Sequence, residues 1–286
     1  MRISGEIPRV ELASVAEFRE RYVRRHEPVI LAGAARDYPA LRWTRETLAS
    51  ELGSVPVRYK RSRSHRHPDF AAASLGEMFA TSAGTFAEFL ELIARGAPAE
   101  RARYLFTGDE QFVLRRRDGK TELDEALAPL LRDAPIPSLV PADALYTVWG
   151  WFSGPGVRTS LHYDNNGCHN LNAQLLGRKH CLLFAPSELE HVHLFDPSEN
   201  PATNCSAVDV EAPDPTRHPE FEHASALEGE LAPGDLLFIP VHFLHSFRHL
   251  GELNANLNYW WKPDHAVDDP IARRERTLAE RGAKPY

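Results

Sequence analysis

The chain has 286 residues, enough for one large β-rich domain or two smaller ones, and its 43% hydrophobic content is sufficient for a real core. A net charge of −7 and a pI near 6.1 argue against broad electrostatic attraction to nucleic acid. No run approaches the roughly 18 apolar residues of a membrane helix. The N-terminal M-R-I-S-G-E-I-P has no secretory apolar core, and Cys168, Cys181 and Cys205 show no zinc spacing, so the expected setting is soluble, reducing and cytoplasmic.

Ser14 and Glu17 make a capping-box pattern, with Val15, Phe18, Tyr22 and Val23 on one face, which predicts a helix over 14–26. Pro28 closes it, and P-V-I-L-A-G (28–33) reads as a short buried strand. Thr44 caps a helix ending near Gly53, and residues 55–60 read as a strand. Thr85 and Glu88 repeat the capping box before Phe86, Phe89, Leu90 and Ile93, with Gly96 at the end. Each helix can cover one side of a sheet. The basic runs at 58–67 and 115–117 read as solvated loops, with a local contact to an acidic partner or RNA as the sharper alternative. Residues 103–106 are expected as a strand. The stretch 110–143 reads as a helix around 123–131, then a proline-bearing connector.

From Leu145 onward, short strands separated by turn residues suggest a barrel or sandwich: 145–152, 181–184, 236–245 and 253–261. Segment 186–224 interrupts them with D-P-S-E-N-P and A-P-D-P-T-R-H-P. It is expected to border the mouth of a site, or else to be a surface insertion. Residues 266–283 are charged and helix-compatible, ending before Lys284 and Pro285.

Two histidines and a carboxylate carry chemistry: His162 and Asp164 in T-S-L-H-Y-D, and His245 at the end of P-G-D-L-L-F-I-P-V-H-F-L-H. These are the ligand types of a facial triad, which holds a divalent iron and leaves positions open. The H-x-D spacing alone is weak, since 14 histidines yield about one such pair by chance. A second pair, His67-Pro68-Asp69, lies in a polar stretch where Pro68 argues against a central strand. His162 and Asp164 share one face of a strand and have strand-like neighbours. If 236–245 is one strand, period two sets His242 and His245 on opposite faces, and His249 lies about 13 Å further along.

The motifs T-S-L-H-Y-D, N-L-N-A-Q-L-L-G-R-K-H-C-L-L-F-A-P, P-G-D-L-L-F-I-P-x-x-x-x-H and N-Y-W-W-K-P run in this order over 145–263. They resemble the JmjC and cupin-like family of Fe(II), 2-oxoglutarate-dependent oxygenases, most of all its asparaginyl hydroxylase acting on hypoxia-inducible factor. R-H-E-P-V-I-L-A-G and Y-P-A-L-R-W-T extend the likeness toward the N-terminus. The resemblance implies a mainly β fold with flanking helices, a double-stranded β-helix or cupin jelly-roll barrel. Residues 1–144 would pack on it as helices and strands, 145–263 would form the catalytic core, and 264–286 a helical tail.

The resemblance also assigns roles. His162, Asp164 and His245 become the iron ligands, His245 lying five residues after Pro240. Lys179 matches the cation for the far carboxylate of 2-oxoglutarate, a charge costly to bury unpaired; otherwise it is a surface lysine on an alternating strand. Thr159 matches a cosubstrate hydroxyl donor, and Asn170 and Asn258 match asparagines near the metal and cosubstrate. Tyr104 matches a cosubstrate-contacting tyrosine or simply packs, and Trp260 lines the pocket or belongs to the core. The implied enzyme uses Fe(2+), 2-oxoglutarate and O2 to hydroxylate a side chain of a protein or peptide, releasing succinate and CO2. The alternatives are a hydroxylase or N-demethylase for a small metabolite or tRNA base, and a non-enzymatic metal-binding cupin sensor. The partner is then a protein or peptide substrate or a small molecule, with nucleic acid disfavoured, no membrane, and homodimerisation left open.

Overall fold

The computed structural model describes residues 1–12, 14–70, 74–78, 80–107 and 111–282. The chain opens with β1 (Arg2–Glu6), β2 (Arg9–Val10) and β3 (Val29–Leu31). Then come β4 (Pro56–Arg61), β5 (Arg66–His67), β6 (Thr81–Thr85), β7 (Tyr104–Phe106) and a hairpin of β8 (Leu114–Arg117) and β9 (Lys120–Leu123). The remaining strands are β10 (Leu145–Ser153), β11 (Arg158–Thr159), β12 (His169–Phe184), β13 (Ser225–Leu231), β14 (Leu236–Ile239) and β15 (Leu244–Trp261). Their main path is β2-β3-β14-β12-β15-β10-β7-β4-β6, with the other strands branching from it. The architecture is mainly β, a jelly-roll double-stranded β-helix with helices on its flanks. Strands from the N-terminal part of the chain join this sheet directly: β3 pairs with β14, and β7 with β10.

Two long strands organise the barrel. β12 and β15 run antiparallel, and their register shifts on both sides of Leu176. The bend falls at Gly177, whose φ is +65°. A Cβ there would meet the carbonyl oxygens of Leu253 at 2.6 Å and Leu250 at 2.9 Å, so only glycine fits. Before the bend β12 pairs with β14, and after it with β13. Polar side chains alternate with apolar ones along both strands. Asn170, Asn172, Gln174, Asn254, Asn256 and Asn258 are all buried. Leu171, Ala173, Leu257 and Tyr259 face the other way, into the main hydrophobic core. That core lies between the sheet and the N-terminal helices, while the face carrying the asparagines combines them with a smaller apolar cluster that includes Cys181, Leu183, Leu237, Ile239 and Phe247.

The helices form where the caps direct. Thr44 and Thr85 each make a reciprocal capping box at the start of Arg45–Leu52 and Phe86–Leu92. Ser14 accepts from the Glu17 N–H ahead of Val15–Phe18, which continues as a π-helical turn through Val23. Phe18, Leu48, Leu52, Phe86 and Phe89 are buried from these helices. Each such side chain contributes about 1.5–3 kcal/mol by leaving water. At the far end, Asp269 caps the helix Pro270–Glu280. No helix among the described residues is long and apolar enough to cross a membrane. The last residues of the expected tail, 283–286, and Glu110 lie outside the described residues.

Three expectations are corrected. The basic triplet 115–117 is in the β8–β9 hairpin, and the helix in that region starts only at Ala128. Arg117 pairs with Lys120 across Asp118-Gly119, both with positive φ, a two-residue turn that D-G strongly favours. Residues 58–67 are not solvated loops either: they hold β4 and β5, and Arg66 is largely buried against Asp209 at 3.4 Å. Finally, 236–245 is not one strand. β14 stops at Ile239, and His242, with φ +67°, turns the chain before β15 begins at Leu244.

Asp235 ties the N-terminal segment to the barrel. It is 2% exposed, accepts from Arg9 Nη2 at 2.8 and 2.9 Å, and takes the N–H groups of Gly33 at 3.1 Å and Ala232 at 2.9 Å. Asp235→Ala should therefore cost about 2 kcal/mol, because it removes the shared acceptor of a guanidinium and two part-buried N–H groups. The check is a lower urea midpoint at unchanged m-value; an unshifted midpoint would mean strand pairing alone holds the segment.

Candidate metal centre and active site

Backbone pairing brings the two histidines together before their side chains contribute. The His162 N–H donates to the His245 carbonyl at 3.1 Å, and the His245 N–H donates back at 2.7 Å. The rings lie 4.3 Å apart between centroids. Asp164 Oδ1 is 3.7 Å from His245 Nε2 and 4.0 Å from His162 Nε2. One ligand atom from each residue falls within 4.8 Å of the others, and this is the only such group of three found among the described residues.

The surroundings prepare these atoms for a cation. His162 Nδ1 is 2.8 Å from the Ser160 carbonyl, and His245 Nδ1 is 3.1 Å from that of Phe243. A carbonyl only accepts, so each Nδ1 carries the proton and each Nε2 keeps its lone pair. Asp164 Oδ2 accepts from Asn170 Nδ2 and Trp260 Nε1, both at 2.8 Å, which leaves Oδ1 for the metal. Burial opposes ionisation of Asp164, but the His245 and His162 rings and these two donors hold its carboxyl below the usual range. Burial, with the neighbouring His162, pushes His245 down to about 4, so its ring is neutral and ready to ligate.

A chain of amides runs inward from Asp164. Asn258 Nδ2 donates to Asn170 Oδ1 at 2.9 Å, Asn256 Nδ2 to Asn258 Oδ1, and Lys179 Nζ to Asn256 Oδ1. Every donor points from the lysine toward the carboxylate, so the amide dipoles reinforce one another. Lys179 is 2% exposed, and its nitrogen lies 5.2 Å from the centre of the Phe247 ring. Its hydrogen-bond partner among the described residues is an amide rather than a carboxylate. Burial lowers its pKa to about 7.

A cavity of about 420 Å³ opens beside the triad. Thr159, His162 and Asp164 line it with Trp149 and Trp151 from β10. Ala202, Asn204 and Cys205 from segment 186–224 complete one wall, so that excursion borders the site. Lys179 is buried beyond this lining.

Most of the expected residues converge here. Thr159 Oγ1 accepts from the Phe247 N–H at 2.9 Å and faces the cavity. Asn170 and Trp260 meet at Asp164, so Trp260 is its hydrogen-bond donor rather than mere packing. Lys179 is interior, not a surface residue. Tyr104 is the exception. Alternation along β7 sends Leu105 and Thr107 to the cavity, while Tyr104 stands on the opposite side against Tyr59, with ring centroids 6.1 Å apart. His67 lines the cavity but stands apart from the triad: it is buried, and its Nε2 is 3.1 Å from the Ala102 carbonyl. His242 turns away, its Nδ1 2.9 Å from Asp269 at the cap of the last helix. The residues missed were Asn256, Trp149 and Trp151. The alternation N-A-N-L-N at 254–258, opposite N-L-N-A-Q at 170–174, was the signal for Asn256.

A double-stranded β-helix with a His-Asp-His cluster inside it defines a cupin with a candidate metal centre. The chain belongs to the cupin-like domain family, which matches it over residues 15–266. It is 29% identical over 270 residues to lysine-specific demethylase 8 of Xenopus tropicalis, covering 89% of this chain and 52% of that protein. It is 30% identical over 203 residues to tRNA wybutosine-synthesizing protein 5 of Danio rerio, covering 68% of this chain and 59% of that protein. The human protein of that name is 25% identical over 287 residues, 97% of this chain and 86% of its own length. The chain thus spans only about half to three-fifths of the first two relatives.

His245→Ala should abolish uptake of one Fe(II) or Mn(II) per chain. His242→Ala should keep that uptake and cost about 1–2 kcal/mol through the lost Asp269 contact. Metal content of both folded variants, measured after desalting, checks this; the reverse pattern would reassign the ligand.

Proposed function

We propose that this chain is an Fe(II)- and 2-oxoglutarate-dependent oxygenase that hydroxylates a side chain of a protein or peptide and releases succinate and CO2. One observation carries the reading: three prepared ligand atoms stand at one end of an amide chain, and at its other end stands a buried lysine with no carboxylate partner among the described residues. His162, Asp164 and His245 would hold the iron, and two imidazoles with one carboxylate are the donor set non-haem iron takes. Lys179 and Thr159 would hold 2-oxoglutarate. Lys179 sits opposite His249, four residues or about 13 Å of strand beyond His245, a gap that a five-carbon diacid and a lysine side chain together span. Bound together, iron and 2-oxoglutarate supply the oxidising power from O2 for attack on a C–H bond.

The chain's own residues orient and shield. Ser160 and Phe243 carbonyls fix the ligand tautomers, and Asn170 and Trp260 fix the carboxylate. Trp149 and Trp151 present broad apolar walls that exclude water beside the reacting bond. Three buried free thiols support a cytoplasmic setting.

A tRNA base is the second reading. The human relative matched over most of its length is by name a tRNA wybutosine-synthesizing protein, and Lys60 and Arg61 line the cavity. The net charge of −7 weighs against it. Demethylation of a lysine is the third, after the name of the other relative. Incubation with Fe(II), 2-oxoglutarate and either peptides or tRNA, read by mass, separates them: gain of one oxygen on a peptide supports the proposal. Gain on tRNA, or loss of a methyl, replaces it.

Lys179→Ala should weaken 2-oxoglutarate binding by about 30-fold or more at unchanged metal affinity. Arginine should not restore it fully, since its planar fork is larger. The sign of the pH dependence follows from the lowered lysine pKa. Below about 7 the free protein already carries the charge. Above it, Lys179 is neutral and must take up a proton to meet a carboxylate, so affinity falls as pH rises through 7. Calorimetry at pH 8 in buffers of different ionisation enthalpy should detect uptake approaching one proton, and at pH 6 almost none.

A further inference from the structure

His249 is the cross-strand partner of Lys179 on β15 and β12, so both side chains leave the same face into the barrel interior. It is 1% exposed. Its Nδ1 lies 2.5 Å from Ser153 Oγ, while its Nε2 is buried with no hydrogen-bond partner among the described residues. A serine hydroxyl that donates to Nδ1 leaves the ring proton on Nε2. Burial, and the charge of Lys179 beside it, keep the ring neutral. With the serine donating, the interior holds an N–H donor with no acceptor among the described residues, next to an ammonium whose partner is one amide oxygen. A carboxylate brings two oxygens and can answer both groups at once.

We infer that His249 is a specificity-determining residue that donates from Nε2–H to the distal carboxylate of a dicarboxylate keto acid, alongside Lys179. The inference rests on the 2-oxoglutarate reading above. It makes the inner end of the site selective for diacids through a cation and a neutral donor together. Ser153 is then a positioning residue, because it sets which ring nitrogen carries the proton.

The test is calorimetry on the Mn(II)-loaded protein without oxygen, with 2-oxoglutarate and with 2-oxobutyrate, which lacks the distal carboxylate. His249→Leu should weaken 2-oxoglutarate about tenfold, one charge-assisted hydrogen bond, and leave 2-oxobutyrate unchanged. His249→Gln, which restores an N–H, should recover most of the loss. Ser153→Ala, a smaller change should the leucine variant not fold, should weaken 2-oxoglutarate about threefold by freeing the tautomer. Unchanged 2-oxoglutarate affinity in these variants, or equal weakening of both keto acids, overturns the inference. A wild-type protein that binds neither ligand overturns the 2-oxoglutarate reading itself, a failure visible before any variant is made.

Discussion

A buried ammonium and a buried carboxylate stand at opposite ends of a single line of asparagine amides, and the barrel is arranged around that line. Neither charge could be kept out of water alone without a large desolvation cost. Here each link turns its nitrogen toward Asp164 and its oxygen toward Lys179. The amides spread the field of the cation toward the anion and leave few unmet groups along the way. The larger hydrophobic core lies on the other face, between the sheet and the capped helices, and a smaller apolar cluster with Cys181, Leu183 and Phe247 packs beside the polar line.

The wall of the site depends on a second set of charges. Asp209, from segment 186–224, meets Arg158 at 3.1 Å and Arg66 at 3.4 Å, and Glu211 meets Arg158 at 3.0 Å. Arg158, Arg66 and Asp209 are mostly withdrawn from solvent, so their pairs are screened less than ordinary surface pairs, while Glu211 is exposed. Arg158 adjoins Thr159, and Arg66 adjoins His67, both on the cavity. The network thus pins the excursion to the two short strands β5 and β11. It holds Ala202, Asn204 and Cys205 in place as a wall rather than as a free loop.

What was legible in the sequence was what local chemistry encodes. The cap at Thr44 and the capping box at Thr85 located helix starts to the residue, because a cap uses atoms three positions apart. The pair His162 and Asp164 was legible by context. Other features were lost for definite reasons. The D-G turn of the β8–β9 hairpin was overshadowed by its charged flanks. The break at His242 was hidden because positive φ in a non-glycine residue leaves no compositional mark. His242 and His245 are separated by that turn, not by strand parity.

By itself, the sequence determined the ligand types and the helix caps, properties of neighbours along the chain, and the resemblance of its ordered motifs gave the class of barrel. Only the tertiary structure decided which partners those residues meet. It set Tyr104 on the far side of β7, brought His67 to the cavity without joining it to the triad, and laid His249 beside Lys179. The physical reason is register. A strand's faces follow from alternation, but which face meets which neighbour depends on bends such as Gly177 and on pairings across 70 residues or more, visible only once the chain has closed on itself.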